Sequence, residues 1–142
     1  MSPDVAMFTV PGRLDCVTYI RRWLRSVLTV WEVKADILAD ILLAVTESCT
    51  NVIRHGYGTT TTGDLSIHLT RTGQAIEITI QDTAPVFIPA QLPPAQPQTL
   101  AEGQYGLFLI HTLMDEVFYE HVGQRGNCIR LVKYDALRQQ ES

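Results

Sequence analysis

Apolar positions change their period several times along the chain, and each change marks a new element. Residues 6–10 (Ala-Met-Phe-Thr-Val) read as a short strand that Pro11-Gly12 stops. From Leu14 the spacing turns helical. Val17, Ile20, Leu24, Val27, Leu28 and Trp31 recur every three or four residues, with Arg21, Arg22 and Arg25 off that stripe. The three arginines are either a solvated basic face or a patch for an acidic partner. A second helix is expected from about Lys34 to His55. Its apolar side carries Ile37, Ile41, Val45, Cys49 and Val52, and His55-Gly56-Tyr57-Gly58 ends it.

Beyond a polar loop over 59–63, the period drops to two. Leu65, Ile67 and Leu69 alternate with Ser66, His68 and Thr70, and Ile76, Ile78 and Ile80 alternate with Glu77, Thr79 and Gln81. With Arg71-Thr72-Gly73-Gln74 between them, these segments predict a β-hairpin with one buried face. Periodicity is then lost over residues 83–104, which hold Pro85, Pro89, Pro93, Pro94 and Pro97. A loop of that length inside a small domain is expected to be a lid or binding loop. Order resumes as a helix from Gly106 to about Asp115. Two strands follow, one from Val117 and one from Cys128 to Tyr134, with a turn at Gly123 to Asn127, and residues 135–142 read as a polar tail. The order β, α, α, β, β, lid, α, β, β predicts an α+β fold, a two-layer α/β sandwich with helices on one face of a mainly antiparallel sheet. The 142 residues are expected to form one domain, 1–142.

Composition narrows the function. The formal net charge is −4 and only 11 residues are Lys or Arg, which speaks against direct nucleic-acid binding. Cys16, Cys49 and Cys128 form no metal or redox motif and fit a reducing cytoplasm. The acidic start Met1-Ser-Pro-Asp4 does not resemble a signal peptide. The longest apolar stretch, Ile37 to Val45, is interrupted by Asp40 and is far short of the ~20 residues of a membrane span. A cytoplasmic protein without a membrane partner is expected.

Three segments carry candidate chemistry. In Glu47-Ser-Cys-Thr-Asn51-Val-Ile-Arg54-His55-Gly-Tyr57, residues Glu47, Asn51 and His55 are spaced i, i+4, i+8. A carboxylate beside a carboxamide suits a magnesium–phosphate site: the amide oxygen holds the hard cation and the carboxylate takes a proton from an attacking hydroxyl. The alternative is an exposed polar helix face. Asp82 ends a buried strand, where it either accepts a hydrogen bond from an exocyclic amine or forms a turn. In Glu102-Gly103-Gln-Tyr-Gly106-Leu107-Phe-Leu-Ile110, two glycines before a helix allow backbone N–H groups to approach a phosphate.

In this order and at these separations, the three segments resemble the N box and the two glycine boxes of the GHKL ATPase superfamily. Gly106-Leu-Phe-Leu-Ile, Met114-Asp-Glu-Val117 and Phe8-Thr-Val-Pro-Gly12 are most similar to its anti-sigma-factor serine/threonine kinase branch. The resemblance covers about residues 6–134. It implies an ATP-dependent serine protein kinase that needs Mg2+. Glu47 would be the general base, Asn51 the magnesium ligand and Asp82 the partner of the adenine amino group. Gly103 and Gly106 would let the lid close over the phosphates. Arg54, His55, Ala84 and Leu107 flank these positions in the nucleotide site. The implied partners are a sigma factor and a STAS-type antagonist that carries the phosphorylatable serine. Family precedent implies a homodimer, in which Trp23 and Trp31 either take part or fill the core.

Two departures matter. The usual Asp-x-Gly is here Asp82-Thr83-Ala84, and alanine lacks ready access to positive φ, which predicts weaker ATP binding. Between Arg71 and Arg125 there is no lysine or arginine, so the lid brings no cation to a triphosphate. Both departures favour the alternative function, a nucleotide-responsive switch that holds a partner without kinase chemistry.

Overall fold

The alternating segments pair as their period requires. The computed structural model describes residues 4–57, 63–84, 104–121 and 126–139. Its five strands are β1 (Val5–Pro11), β2 (Asp64–Thr72), β3 (Ala75–Asp82), β4 (Glu116–His121) and β5 (Asn127–Lys133). They form one antiparallel sheet in the order β1-β2-β3-β5-β4. Register places Ile67 opposite Ile80, Ile80 opposite Ile129, Leu69 opposite Ile78, and Ile78 opposite Leu131. These side chains are buried, so one face of the sheet is a continuous apolar floor. Burying each such side chain contributes roughly 1.5–3 kcal/mol. The turn from β2 to β3 is tighter than the sequence suggests, because β2 runs through Thr72. Only Gly73 and Gln74 connect the strands, with Gly73 at φ 59°.

The helices cover that floor. A 3₁₀ turn (Leu14–Cys16) leads into α1 (Val17–Val30), whose stripe buries Ile20, Leu24 and Leu28 and leaves Arg21, Arg22 and Arg25 exposed. Trp31 is buried, and Trp23, half-buried, stacks on Phe8 with ring centroids 5.2 Å apart. Trp31 therefore belongs to the core, while Trp23 packs on Phe8 and stays partly exposed. Helix α2 (Ala35–Val52) buries Ile41, Ala44, Val45, Cys49 and Val52. It stops three residues before His55. The chain continues as a wider π-helical turn, Ile53–Tyr57, which carries Arg54 and His55. His55 is thus not a third residue on the α-helical face of Glu47 and Asn51. Among the described residues, no helix is long and apolar enough to cross a membrane.

Helix α3 spans Gln104–Leu113 and ends two residues before Asp115. Ile110 anchors it in the core, and the Lys133 ammonium donates to Leu113 O at 2.6 Å, capping its last turn. Thr83 and Ala84 belong to the packed structure rather than to a lid, since Ala84 is fully buried. Residues 85–103 lie outside the described residues. The polar-tail reading of 135–142 is also corrected. Asp135 turns the chain at φ 50°, and Ala136 and Leu137 are buried. Lys34 N donates to Ala136 O at 2.8 Å, and Leu137 bridges to Val33. The tail closes the gap between α1 and α2, because two apolar side chains suffice to hold it there.

Candidate nucleotide-binding site

Glu47 and Asn51 are one turn apart on α2 and half-buried. They do not form a solvated face, because α3 packs against them. A Cβ built on Gly106 would lie 2.8 Å from Glu47 Oε2, 3.5 Å from Asn51 Nδ2 and 3.6 Å from Asn51 Oδ1. Glycine is what allows the start of α3 to approach the acid and the amide this closely. Leu107 follows, half-buried, while Gly103 lies outside the described residues. Arg54 and His55 are both exposed on the π turn.

Tyr57 closes that turn and ties it to the end of β3. Its hydroxyl donates to Asp64 O at 2.7 Å, accepts from Thr83 N at 2.8 Å, and lies 3.1 Å from Thr83 Oγ1. The ring is buried against Gly12 and Gly63, where any side chain would overlap it. One phenol thus joins the segment bearing Asn51 to the segment bearing Asp82.

The Asp82 carboxylate is buried and unevenly satisfied. Oδ1 accepts from Ala84 N at 2.9 Å, Asn127 N at 3.2 Å and Asn127 Nδ2 at 3.0 Å. Oδ2 is buried and has no partner among the described residues. A buried acceptor left unsatisfied costs about 1–3 kcal/mol, so this atom fits a ligand that brings an N–H donor. Ala84 sits beside it with an ordinary φ, for among the described residues only Glu32 and Asp135 are non-glycine residues with positive φ. The position therefore does not need glycine, and the backbone objection to Ala84 falls away. Ala84 O also accepts from Gly126 N at 2.8 Å.

Among the described residues no group of three His, Cys, Asp or Glu side chains can hold a metal. Burial pushes the Cys49 thiol up to about 12, so it stays protonated within α2. Sequence reasoning did not single out Asn127. Its only trace was an amide-bearing residue next to Gly126, at the end of the expected turn and just before the expected strand from Cys128.

Residues 10–133 match the model of the histidine kinase-like ATPase domain. The chain belongs to this family. As an ATPase-type domain it has serine-protein kinase relatives. One is RsbW of Halalkalibacterium halodurans, 36% identical over 123 residues that cover 81% of this chain and 75% of that protein. Another is RsbW of Bacillus subtilis, 31% identical over 139 residues that cover 92% of this chain and 86% of that protein. Among solved structures, the RsbU and RsbW domains of a Mycobacterium tuberculosis protein share the fold with a TM-score of 0.68 at 20% identity. That match covers 94% of this chain but 32% of the larger one. A blue-light-activated histidine kinase domain of Erythrobacter litoralis shares it with a TM-score of 0.56 at 14% identity, covering 96% and 70% of the two chains. The sandwich expected from the sequence is thus the fold of this ATPase domain.

Proposed function

We propose that the chain is an ATP-dependent serine-protein kinase of the anti-sigma type. In this reading it phosphorylates a serine of an antagonist protein and holds a sigma factor when that antagonist is absent. The observation that carries the reading is the buried Asp82 Oδ2, without a partner among the described residues and tied through Thr83 and Tyr57 to the segment that bears Glu47 and Asn51. Asp82 receives the adenine amino group. Asn51 would hold magnesium through its amide oxygen, and the ion there would offset charge on the phosphates. Glu47 accepts the proton of the serine hydroxyl as its oxygen bonds to the γ-phosphorus and ADP leaves. Gly106 and Leu107, at the start of α3, lie along the phosphates, Arg54 and His55 are at the exposed rim, and Ala84 is buried beside Asp82.

The antagonist and the sigma factor are expected at α1. Arg21, Arg22 and Arg25 are exposed there and, with Thr18 and Ser26, line an open hollow of about 410 Å³. Such a surface suits an acidic partner. The protein works in the cytoplasm, and a homodimer would have to use a surface other than the buried Trp31.

The test has two arms. Magnesium-ATP in large excess over Kd raises Tm, since a ligand that binds only the native state stabilises it, by about 2.7 kcal/mol at 100 Kd. Asp82→Asn loses most of that shift. Radiolabel passes from ATP to the antagonist, and Glu47→Ala abolishes the transfer while keeping the thermal shift. The cation-free stretch 72–124 favours a second reading, a nucleotide-responsive switch without chemistry. A thermal shift without any label transfer would select it.

A further inference from the structure

The uneven satisfaction of Asp82 has one main source. Two of the three donors on Oδ1 come from Asn127, one from its backbone and one from its side chain. Asn127 is itself buried, 5% exposed, at the first position of β5. The amide's orientation follows from the network. Turned over, its oxygen would face the carboxylate oxygen, and two acceptors would meet in a dry site. With Oδ1 filled by three N–H groups, the plane of the carboxylate is fixed, and among the described residues the acceptor capacity left over is on Oδ2.

We propose that Asn127 is a positioning residue that sets the nucleobase selectivity of the site. By saturating Oδ1, it leaves Asp82 a single fixed acceptor and no donor toward the ligand. A base edge that presents an exocyclic amine is accepted there. A base edge that presents a carbonyl sets oxygen against oxygen in a buried place and is refused. Sites of this kind discriminate strongly, because the wrong ligand leaves a buried polar group unpaired. Removing the Asn127 amide frees the carboxylate to turn and opens room beside it for a water, which can donate to a carbonyl as readily as it accepts from an amine. Selectivity then falls, while the backbone donors Ala84 N and Asn127 N keep Asp82 beside the start of β5. The inference rests on the nucleotide reading above.

The experiment compares magnesium-ATP with magnesium-ITP, whose base carries a carbonyl in place of the amine, by equilibrium binding to the full chain. The wild type is expected to bind ATP at least ~100-fold more tightly than ITP. In Asn127→Ala this ratio is expected to fall by ~10-fold or more, through weaker ATP binding and unchanged or tighter ITP binding. Asn127→Ser keeps a side-chain O–H donor and should retain the ratio within ~3-fold. If Asn127→Ala does not fold, Asn127→Val fills the volume with a strand-forming side chain, and the same collapse of the ratio is expected. A role in packing alone would lower Tm and weaken both nucleotides alike. An unchanged ratio in Asn127→Ala or Asn127→Val therefore overturns the proposal, as does a wild type that binds both nucleotides equally. A wild type that binds neither overturns the nucleotide reading itself and this inference with it.

Discussion

Gly106 at the start of α3 faces Glu47 of α2 so closely that a methyl group on it would lie 2.8 Å from Glu47 Oε2. The nearest atom is the far end of a flexible side chain, not backbone, so the fold can yield where the chemistry cannot. Gly106→Ala is expected to leave thermal stability unchanged or slightly raised. Alanine favours a helix over glycine by roughly 0.5–1 kcal/mol. The displaced carboxylate should nevertheless lose its place as a base. Phosphotransfer is expected to drop at least ~10-fold, since a shift of about 1 Å at a reacting group costs up to ~100-fold. Melting curves and label transfer on the same preparation test this; a full-rate variant would separate Glu47 from catalysis.

Tyr57 makes a different kind of link, in which stability and ligand binding should fall together. Tyr57→Phe keeps the ring on which Gly12 and Gly63 pack but removes the hydroxyl that Asp64 O and Thr83 N both use. Leaving such groups unpaired costs about 1–3 kcal/mol. The denaturant midpoint is expected to fall accordingly. ATP affinity should fall as well, because Thr83 is the neighbour of Asp82. A variant with native stability and native affinity would show that water replaces the hydroxyl without loss.

The period of the apolar residues was enough to read the sheet and helices, because one-sided burial writes itself into the chain. Ile76, Ile78 and Ile80 alternate and are buried, and Ile20, Leu24 and Leu28 form the inner stripe of α1. Glu47, Asn51 and Asp82 stood out through the order and separation of the segments that carry them, not through any one position taken alone. What stayed hidden depends on pairings between distant segments. No local pattern announces that Asn127 will meet Asp82, 45 residues away, or that Ala136 will dock on Lys34. The π turn at Ile53–Tyr57 was hidden for the same reason: Tyr57 reaches Thr83 from there, and only tertiary contact rewards that widening.

Acidification should loosen the seat of α3. Burial lowers the pKa of His111, near the end of that helix, below its ordinary 6.5. Its ring lies against Tyr119 of β4, centroids 6.1 Å apart, whose phenol burial pushes up and keeps neutral. Below about pH 6.5 the unfolded chain binds a proton at this residue that the folded chain resists. Stability therefore rises with pH between the folded pKa and 6.5, and is lost as pH falls through that window. His111→Gln is expected to flatten the fall in Tm between pH 7 and pH 5.5 relative to the wild type. Parallel Tm–pH curves for the two proteins would remove His111 from this role.

The source of positive charge at the phosphates decides how the kinase is switched on. Residues 72–124 contain no lysine or arginine. Arg71 is engaged elsewhere, 2.9 Å from Asp4 and 5.2 Å over the Trp31 ring. Arg130 lies on the opposite face of the sheet, over Phe118 and 3.5 Å from Glu120. Among the described residues, Arg54 is the nearest cation in sequence to Asn51, and it is exposed. Phosphoryl transfer relies on stabilising charge, and a cation supplied in trans accelerates related chemistry by up to ~10³–10⁵. The free chain should therefore turn over ATP near background. The cognate antagonist should speed phosphotransfer at least ~10-fold, equivalent to about 1.4 kcal/mol of barrier. Arg54→Ala tells the two sources apart. If the partner supplies the charge, the variant keeps its activity in the complex; if the π turn supplies it, turnover collapses with and without the partner. Brisk hydrolysis by the free wild type would mean that magnesium and the backbone amides ahead of α3 suffice.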